Sequence, residues 1–276
     1  MNIYGLDFTS APSRRKPITC ACCELETTTL VIKTCLRLPT FEDFEAFLHT
    51  EGPWLAALDF PFGQPRKLIT NLGWPETWEG YMHLISSMSK QTFEQTLQNY
   101  QENRPPGDKQ HLRTTDALAG AISPMMLHRV PVAKMFFQGA TRLFKSEISI
   151  LPCRPTRDGR IVVEGYPALV ARKLIGKRGY KSDEHGKQTI EKVMARSEIV
   201  KGLRSGMLVK EYGLAVLMTG EEAERLAKDA MGDEFAGLPE GEIEGGEPGA
   251  FCVEEGFKVF ECRKAEAGLD DQGGFL

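Results

Sequence analysis

The alternation of apolar and polar positions predicts that the chain opens with three β-strands. The first strand covers residues 2–8 and stops at a loop that contains Pro12. Residues 18–25 and 28–36 are rich in threonine, valine and isoleucine, and the short gap between them favours a hairpin. The N-terminal part is therefore predicted to be a β-β-β unit.

Helical spacing begins after Thr40. Three phenylalanines and a leucine between residues 41 and 48 fall on one helical face, and the Thr40 side chain is suited to cap that helix. Residues 54–60 return to a strand pattern, which ends at Pro61. These elements extend the predicted order to β-β-β-α-β.

The middle of the chain is predicted to be a helical insertion over about residues 66–146, where apolar residues recur at helical spacing. Strand patterns resume at residues 148–151 and 160–166, and Pro167 closes the second of them.

Two further helices are predicted after these strands. One covers residues 186–203, and the other follows a capping box formed by Thr219 and Glu222. Strands interrupted by helices in this order predict an α/β domain over residues 1–232, with one mixed sheet covered by helices on its faces.

The composition is that of an ordinary globular chain. Of 276 residues, 41% are hydrophobic and 26% are charged, which excludes disorder throughout. The seven cysteines are an odd number, and no basic segment followed by an apolar run opens the sequence. We therefore expect a cytoplasmic protein without a disulfide-linked partner. No run of about 18 apolar residues occurs, so we expect no membrane span.

Residues 233–276 form an acidic, glycine-rich tail. They include 12 acidic residues, three basic residues and nine glycines, and thus a net charge of -9. The other 31 basic and 26 acidic residues give the body a net charge of +5. We expect the tail to be loosely ordered because it has few apolar side chains to offset its chain entropy. A basic body suits a polyanionic ligand.

Three acidic residues lie in otherwise apolar strand patterns, namely Asp7, Asp59 and Glu164. Each is close to the C-terminal end of its strand, which is the edge at which open α/β sheets bind ligands. Three carboxylates that converge there would favour Mg²⁺ or Mn²⁺, and two such ions about 4 Å apart activate a water for attack on a phosphodiester. Alternatively, each acid caps the following turn or pairs with a nearby arginine.

Four segments of the chain resemble those of an uncharacterised family of predicted nucleases with a ribonuclease H-like fold. They are GLDFTSAPSRRKPI, AALDFPFGQPR, SPMMLHRVPVAKMFFQGATRLF and EGYPALVARKLIGKRGYKSD. The resemblance covers about residues 1–205 and implies a ribonuclease H-like mixed sheet in β-β-β-α-β-α order. It also implies that Asp7, Asp59 and Glu164 are catalytic metal ligands.

The same family takes its last metal ligand from an acidic C-terminal helix. Asp233 matches the first acid of that motif, whereas Ala236 stands where the second acid is expected. By resemblance, Asp233 is therefore a fourth candidate ligand.

Four basic residues are candidates for contact with a nucleic-acid backbone. Arg14 and Arg15 follow the first strand, and Arg66 and Lys181 follow the strands that carry the other two acids. Solvated surface charge is the alternative interpretation of each.

The leading hypothesis is a metal-dependent nuclease, and other chemistry has weaker support. Cys20, Cys22, Cys23 and Cys35 are predicted to be buried thiols, and no Gly-x-Gly-x-x-Gly or Walker-type loop is present. Two alternatives stay open. One is a phosphotransferase of the sugar-kinase or actin-like type, with residues 7–10 as a phosphate-cradling hairpin. The other is a non-catalytic protein that binds nucleic acid or a nucleotide.

Overall fold

The structure is a computed structural model that describes residues 1–180 and 189–218. Within these ranges seven strands form one mixed sheet in the spatial order β5-β6-β4-β1-β2-β3-β7. The strands are β1 (Asn2–Asp7), β2 (Ile18–Glu26), β3 (Thr29–Leu38), β4 (Trp54–Leu58), β5 (Ser149–Leu151), β6 (Arg160–Glu164) and β7 (Ala215–Met218). The predicted mixed α/β sheet is therefore confirmed.

Nine helices accompany the sheet within the same ranges. They are α1 (Phe41–Leu48), α2 (Arg66–Asn71), α3 (Trp78–Ser87), α4 (Lys90–Glu102), α5 (Thr114–Ala119), α6 (Val132–Lys145), α7 (Ala168–Ile175), α8 (Ile190–Arg204) and α9 (Val209–Tyr212). Five of them, α2 to α6, lie between β4 and β5, where the sequence predicts helices. The Thr40 cap of α1 is confirmed, because its side chain accepts from the Asp43 N–H in a complete capping box.

Three elements are not predicted by the sequence patterns, namely α7, α9 and β7. Helix α7 begins directly after Pro167. The sequence pattern marks this proline as the end of a strand, although proline also suits the start of a helix. Helix α9 and strand β7 have four residues each, too few for a clear periodic pattern. The capping box at Thr219 and the tail at residues 233–276 lie outside the described residues. No helix among the described residues is long and apolar enough to cross a bilayer.

Strand β1 lies at the centre of the sheet and joins two kinds of pairing. It runs antiparallel to β2, which in turn runs antiparallel to β3. On its other side it runs parallel to β4, and β4 runs parallel to β6. The C-terminal ends of β1, β4 and β6 therefore meet at one edge of the sheet, which we call the carboxyl edge.

Each face of the sheet is covered by its own hydrophobic core. On one face, Leu6 and Leu58 pack with Phe44 of α1. On the other face, Ile3 packs with residues of α7 and α8, including Ile199. Because side chains along a strand alternate between faces, neighbouring residues of β1 contribute to different cores.

Helix α6 connects the first of these cores to the insertion. Its Leu143 belongs to the core that contains Phe44 of α1, whereas its Phe136 packs with Phe93 among the insertion helices. The helix approaches the loop after β4 so closely that a Cβ atom on Gly139 would overlap the ring of Phe60. This contact fixes the insertion next to the carboxyl edge.

Replacement of this glycine is expected to loosen the attachment. Gly139→Ala forces the Phe60 ring or α6 to move, and overpacking of this kind lowers the free energy of unfolding by about 1–3 kcal/mol. Urea denaturation measures the change, and Lys145→Ala at the exposed end of α6 is the control, with a change within about 0.5 kcal/mol. Equal stability of the two variants would contradict the close contact.

Candidate functional site

The three acidic residues of interest all lie at the carboxyl edge. Asp7 is the last residue of β1, Glu164 is the last residue of β6, and Asp59 directly follows β4. Since β4 lies between β1 and β6, the sheet topology brings the three backbone positions together.

Asp7 and Asp59 are neighbours on one face of the sheet. Leu6 is the register partner of Leu58, and the Asp59 N–H donates to the Leu6 carbonyl at 3.0 Å, so Asp59 continues the pairing next to Asp7. The residues on either side of each acid belong to the core with α1, so both acids point to the opposite face. Both side chains are half-buried.

Glu164 points to the other face. It is the register partner of Leu58 and lies two residues after Val162, and both of these residues belong to the core with α1. Its carboxylate accepts from the Phe62 N–H at 2.8 Å. It also accepts two hydrogen bonds from Arg113, from Nη1 at 2.7 Å and from Nη2 at 2.5 Å.

Arg113 is shared between two carboxylates. Besides Glu164, it donates to Asp116 from Nε at 2.9 Å and from Nη2 at 2.7 Å, and only 4% of the Asp116 side chain is exposed. Burial by itself would lower the pKa of Arg113, but the charges of Glu164 and Asp116 outweigh this effect and raise it. The guanidinium therefore stays charged and ties the start of α5 to the end of β6.

The expected cluster of three carboxylates is not formed. Among residues 1–180 and 189–218, no three histidine, cysteine, aspartate or glutamate side chains lie close enough together to hold a metal ion. The geometric reason is strand alternation, which sends Asp7 and Asp59 to one face and Glu164 to the other. For Glu164 the structure instead shows the alternative interpretation of the sequence, pairing with an arginine.

The face that holds Glu164 also carries a buried tyrosine and a partly buried thiol. Burial, followed by the nearby Glu164 charge, raises the pKa of Cys153 to about 12, so this thiol stays protonated near neutral pH. Burial likewise raises the pKa of Tyr81, whose hydroxyl lies so near Gly63 that an added Cβ would be 2.8 Å from it. These groups pack the loop after β4 and are poor nucleophiles.

The candidate phosphate-contacting arginines lie in the segments that follow β1 and β4 at the carboxyl edge. Arg14 and Arg15 are exposed in the loop between β1 and β2, and exposed Arg66 is the first residue of α2. Lys181 and the candidate ligand Asp233 lie outside the described residues.

One further cation, Arg37, was missed by sequence reasoning. Asp7 is the register partner of Thr19, and Thr19 is the register partner of Arg37. Since directly opposed residues of antiparallel strands share a face, these three side chains form a row on the face that also holds Asp59. Arg37 is exposed, and its Nη2 donates to the Arg14 carbonyl at 3.4 Å. The signal in the sequence was its place near the end of the third strand.

Comparisons of the chain with protein-family models, with curated proteins and with solved structures find no match. Function is therefore inferred from the placement of the side chains described above.

Loss of the Glu164 charge is expected to destabilise the protein. Glu164→Gln removes one of the two carboxylates that compensate Arg113, whose side chain is 18% exposed. Because Asp116 remains and the site is partly solvated, we expect the free energy of unfolding to fall by about 1–3 kcal/mol. Chemical denaturation measures the change.

A matched control is available on the surface. Glu198 makes a similar paired contact with Arg178, but both side chains are about half exposed, at 44% and 54%. Glu198→Gln should leave stability nearly unchanged because solvent screens the pair. Similar effects of the two substitutions would show that the Glu164 contact is no more than an ordinary surface ion pair.

Proposed function

We propose that this protein is a metal-dependent nuclease with a ribonuclease H-like sheet, in which Asp7 and Asp59 bind Mg²⁺ or Mn²⁺. The observation that carries the proposal is the in-register placement of these two carboxylates at the ends of adjacent parallel strands. The antiparallel β1-β2-β3 unit followed by parallel β4 and β6 supports the ribonuclease H-like assignment. The resemblance of the sequence segments supports it independently.

The two carboxylates fit a hard divalent cation. Neighbouring strands lie about 4.8 Å apart, so carboxylates at matched positions can reach a common ion. Mg²⁺ commonly keeps several waters and takes only one or two protein carboxylates together with substrate phosphate. When bound, such an ion would supply an activated water and stabilise the leaving oxygen of a phosphodiester.

In this proposal the remaining residues bind and position the substrate. Arg37 shares the face of the two aspartates. Arg14 and Arg15, on an exposed loop, and Arg66, at the start of α2, lie at the same edge, where they would contact phosphates. Glu164 orients the loop after β4 by accepting the Phe62 N–H, and it does not bind the ion.

The number of carboxylates also favours a second candidate function. Asp7 and Asp59 are only two carboxylates, and no group of three possible metal ligands occurs among the described residues, so a protein that binds nucleic acid without cleaving it fits the same edge. Cleavage of an oligonucleotide in the presence of Mn²⁺ distinguishes the two functions, because only the nuclease produces fragments.

Removal of either aspartate charge is expected to weaken metal binding and to abolish cleavage. Asp7→Asn and Asp59→Asn should each weaken Mn²⁺ binding at least about tenfold, since even loss of an outer partner of a metal ligand costs about 10–100-fold. Isothermal titration of metal-free protein with Mn²⁺ measures affinity, and a fluorescent oligonucleotide reports cleavage.

Glu51→Gln serves as the control for these variants. Glu51 is exposed in the loop before β4, at the opposite end of the strand that Asp59 follows. The control should titrate like the unmodified protein. If Asp59→Asn also titrates like the unmodified protein, Asp59 is not a ligand and the proposal fails.

Loss of the Arg37 charge is expected to weaken nucleic-acid binding without changing metal affinity. Each neutralised phosphate contact contributes close to one unit to the slope of log affinity against log salt concentration. Arg37→Gln should therefore reduce the magnitude of that slope by about one, as measured by fluorescence anisotropy of a labelled oligonucleotide in EDTA. Lys33→Gln is the control on the same strand, because Lys33 faces Glu24 and Glu26 instead. Equal slopes for the two variants would remove Arg37 from the binding surface.

A further inference from the structure

Thr19 carries a buried hydroxyl that the fold itself does not satisfy. Only 2% of the residue is exposed, and its Oγ1 has no hydrogen-bond partner within the described part of the chain. A buried polar group without a partner costs stability. Valine has nearly the same shape and an equal preference for strands, so packing alone gives no reason for a hydroxyl here.

The position of this hydroxyl relates it to Asp7. Thr19 lies on β2 directly opposite Asp7, and both side chains point to the face that holds Asp59. Its strand neighbours Ile18 and Cys20 belong to the core on the other face, which confirms its orientation. Directly opposed residues of antiparallel strands have Cβ atoms about 4.5–5.5 Å apart, a separation that a short hydrogen bond between side chains can span.

The chemistry of the pair suits a charge-assisted hydrogen bond. A threonine hydroxyl has one proton to donate, and an ionised carboxylate has about four acceptor positions, so Asp7 can accept from Thr19 and still coordinate an ion. Because χ1 of threonine has staggered minima, the hydroxyl can take a different direction when the ion is bound.

We propose that Thr19 is a positioning residue for Asp7. Its hydroxyl donates to one carboxylate oxygen of Asp7 when a divalent cation is bound, and it thereby fixes the oxygen that coordinates the ion. This role rests on the proposed function, because it requires Asp7 to be a metal ligand. It explains why the fold keeps a buried hydroxyl that lowers the stability of the metal-free protein.

Stability and metal affinity are expected to change in opposite directions in Thr19→Val. Removal of an unsatisfied hydroxyl should raise the Tm of the metal-free protein by about 2–4 °C. Loss of the hydrogen bond to a ligand should weaken Mn²⁺ binding about 10–100-fold. Thr19→Ser keeps the hydroxyl and should bind Mn²⁺ within about threefold of the unmodified protein, although loss of the methyl group lowers its Tm. Calorimetric titration and thermal unfolding in EDTA provide the two measurements.

Thr141→Val is the matched control. Thr141 is also buried, but its hydroxyl donates to the Phe137 carbonyl within α6, a helix that joins the core with α1 on the face opposite to Asp7 and Asp59. This substitution should leave Mn²⁺ affinity unchanged and should not raise the Tm.

The outcomes separate this inference from the proposed function. Unchanged Mn²⁺ affinity in Thr19→Val, with weakened binding in Asp59→Asn, would overturn the role of Thr19 alone. A lower Tm for Thr19→Val in EDTA would overturn it too, because the hydroxyl would then already be satisfied without metal. Unchanged affinity in both Asp7→Asn and Asp59→Asn would overturn the proposed function itself.

Discussion

The parallel pairing of β1 with β4 is the constraint on which the candidate site depends. It aligns Leu6 with Leu58, so the residues that follow them, Asp7 and Asp59, come to lie side by side. A shift of one residue in either strand would exchange the faces of that strand and bury an aspartate in the core with α1. The apolar residues that flank each acid therefore fix the register, and the register fixes the position of the carboxylates.

The alternation of side chains between the two faces of the sheet gives Glu164 a structural role. Because it shares a face with Leu58, its carboxylate meets the helical insertion and binds Arg113 and the Phe62 N–H. The carboxylates of Glu164 and Asp116 are compensated there by the charge of Arg113, and Glu164 also by the Phe62 N–H. Each carboxylate that loses water therefore gains a hydrogen-bond donor. The network attaches the insertion to the sheet and shapes the loop between β4 and α2. One edge of the sheet thus carries a structural carboxylate on one face and two candidate ligands on the other.

The face of the sheet that holds Asp7 and Asp59 carries a row of chemically different side chains across four strands. Asp59 and Asp7 provide negative charge, Thr19 provides a neutral donor, and Arg37 provides positive charge. Such a row can hold a cation at one end and a phosphate at the other without bringing like charges together. The buried hydroxyl of Thr19 is the part of this row that lowers stability, and buried polar groups without partners are typical of sites where function constrains the sequence.

Much of the fold was determined by the sequence alone. Period-two alternation located strands β1 to β6, and helical spacing located α1 and the insertion. Thr40 marked the cap of α1. These signals depend only on residues that are close together in the chain. The sequence also placed Asp7, Asp59 and Glu164 at strand ends. Only the tertiary structure decided that Glu164 pairs with Arg113, and that Thr19 and Arg37 lie in line with Asp7. Those relations depend on the register between strands and on a partner 51 residues away, which the local pattern of either segment does not contain.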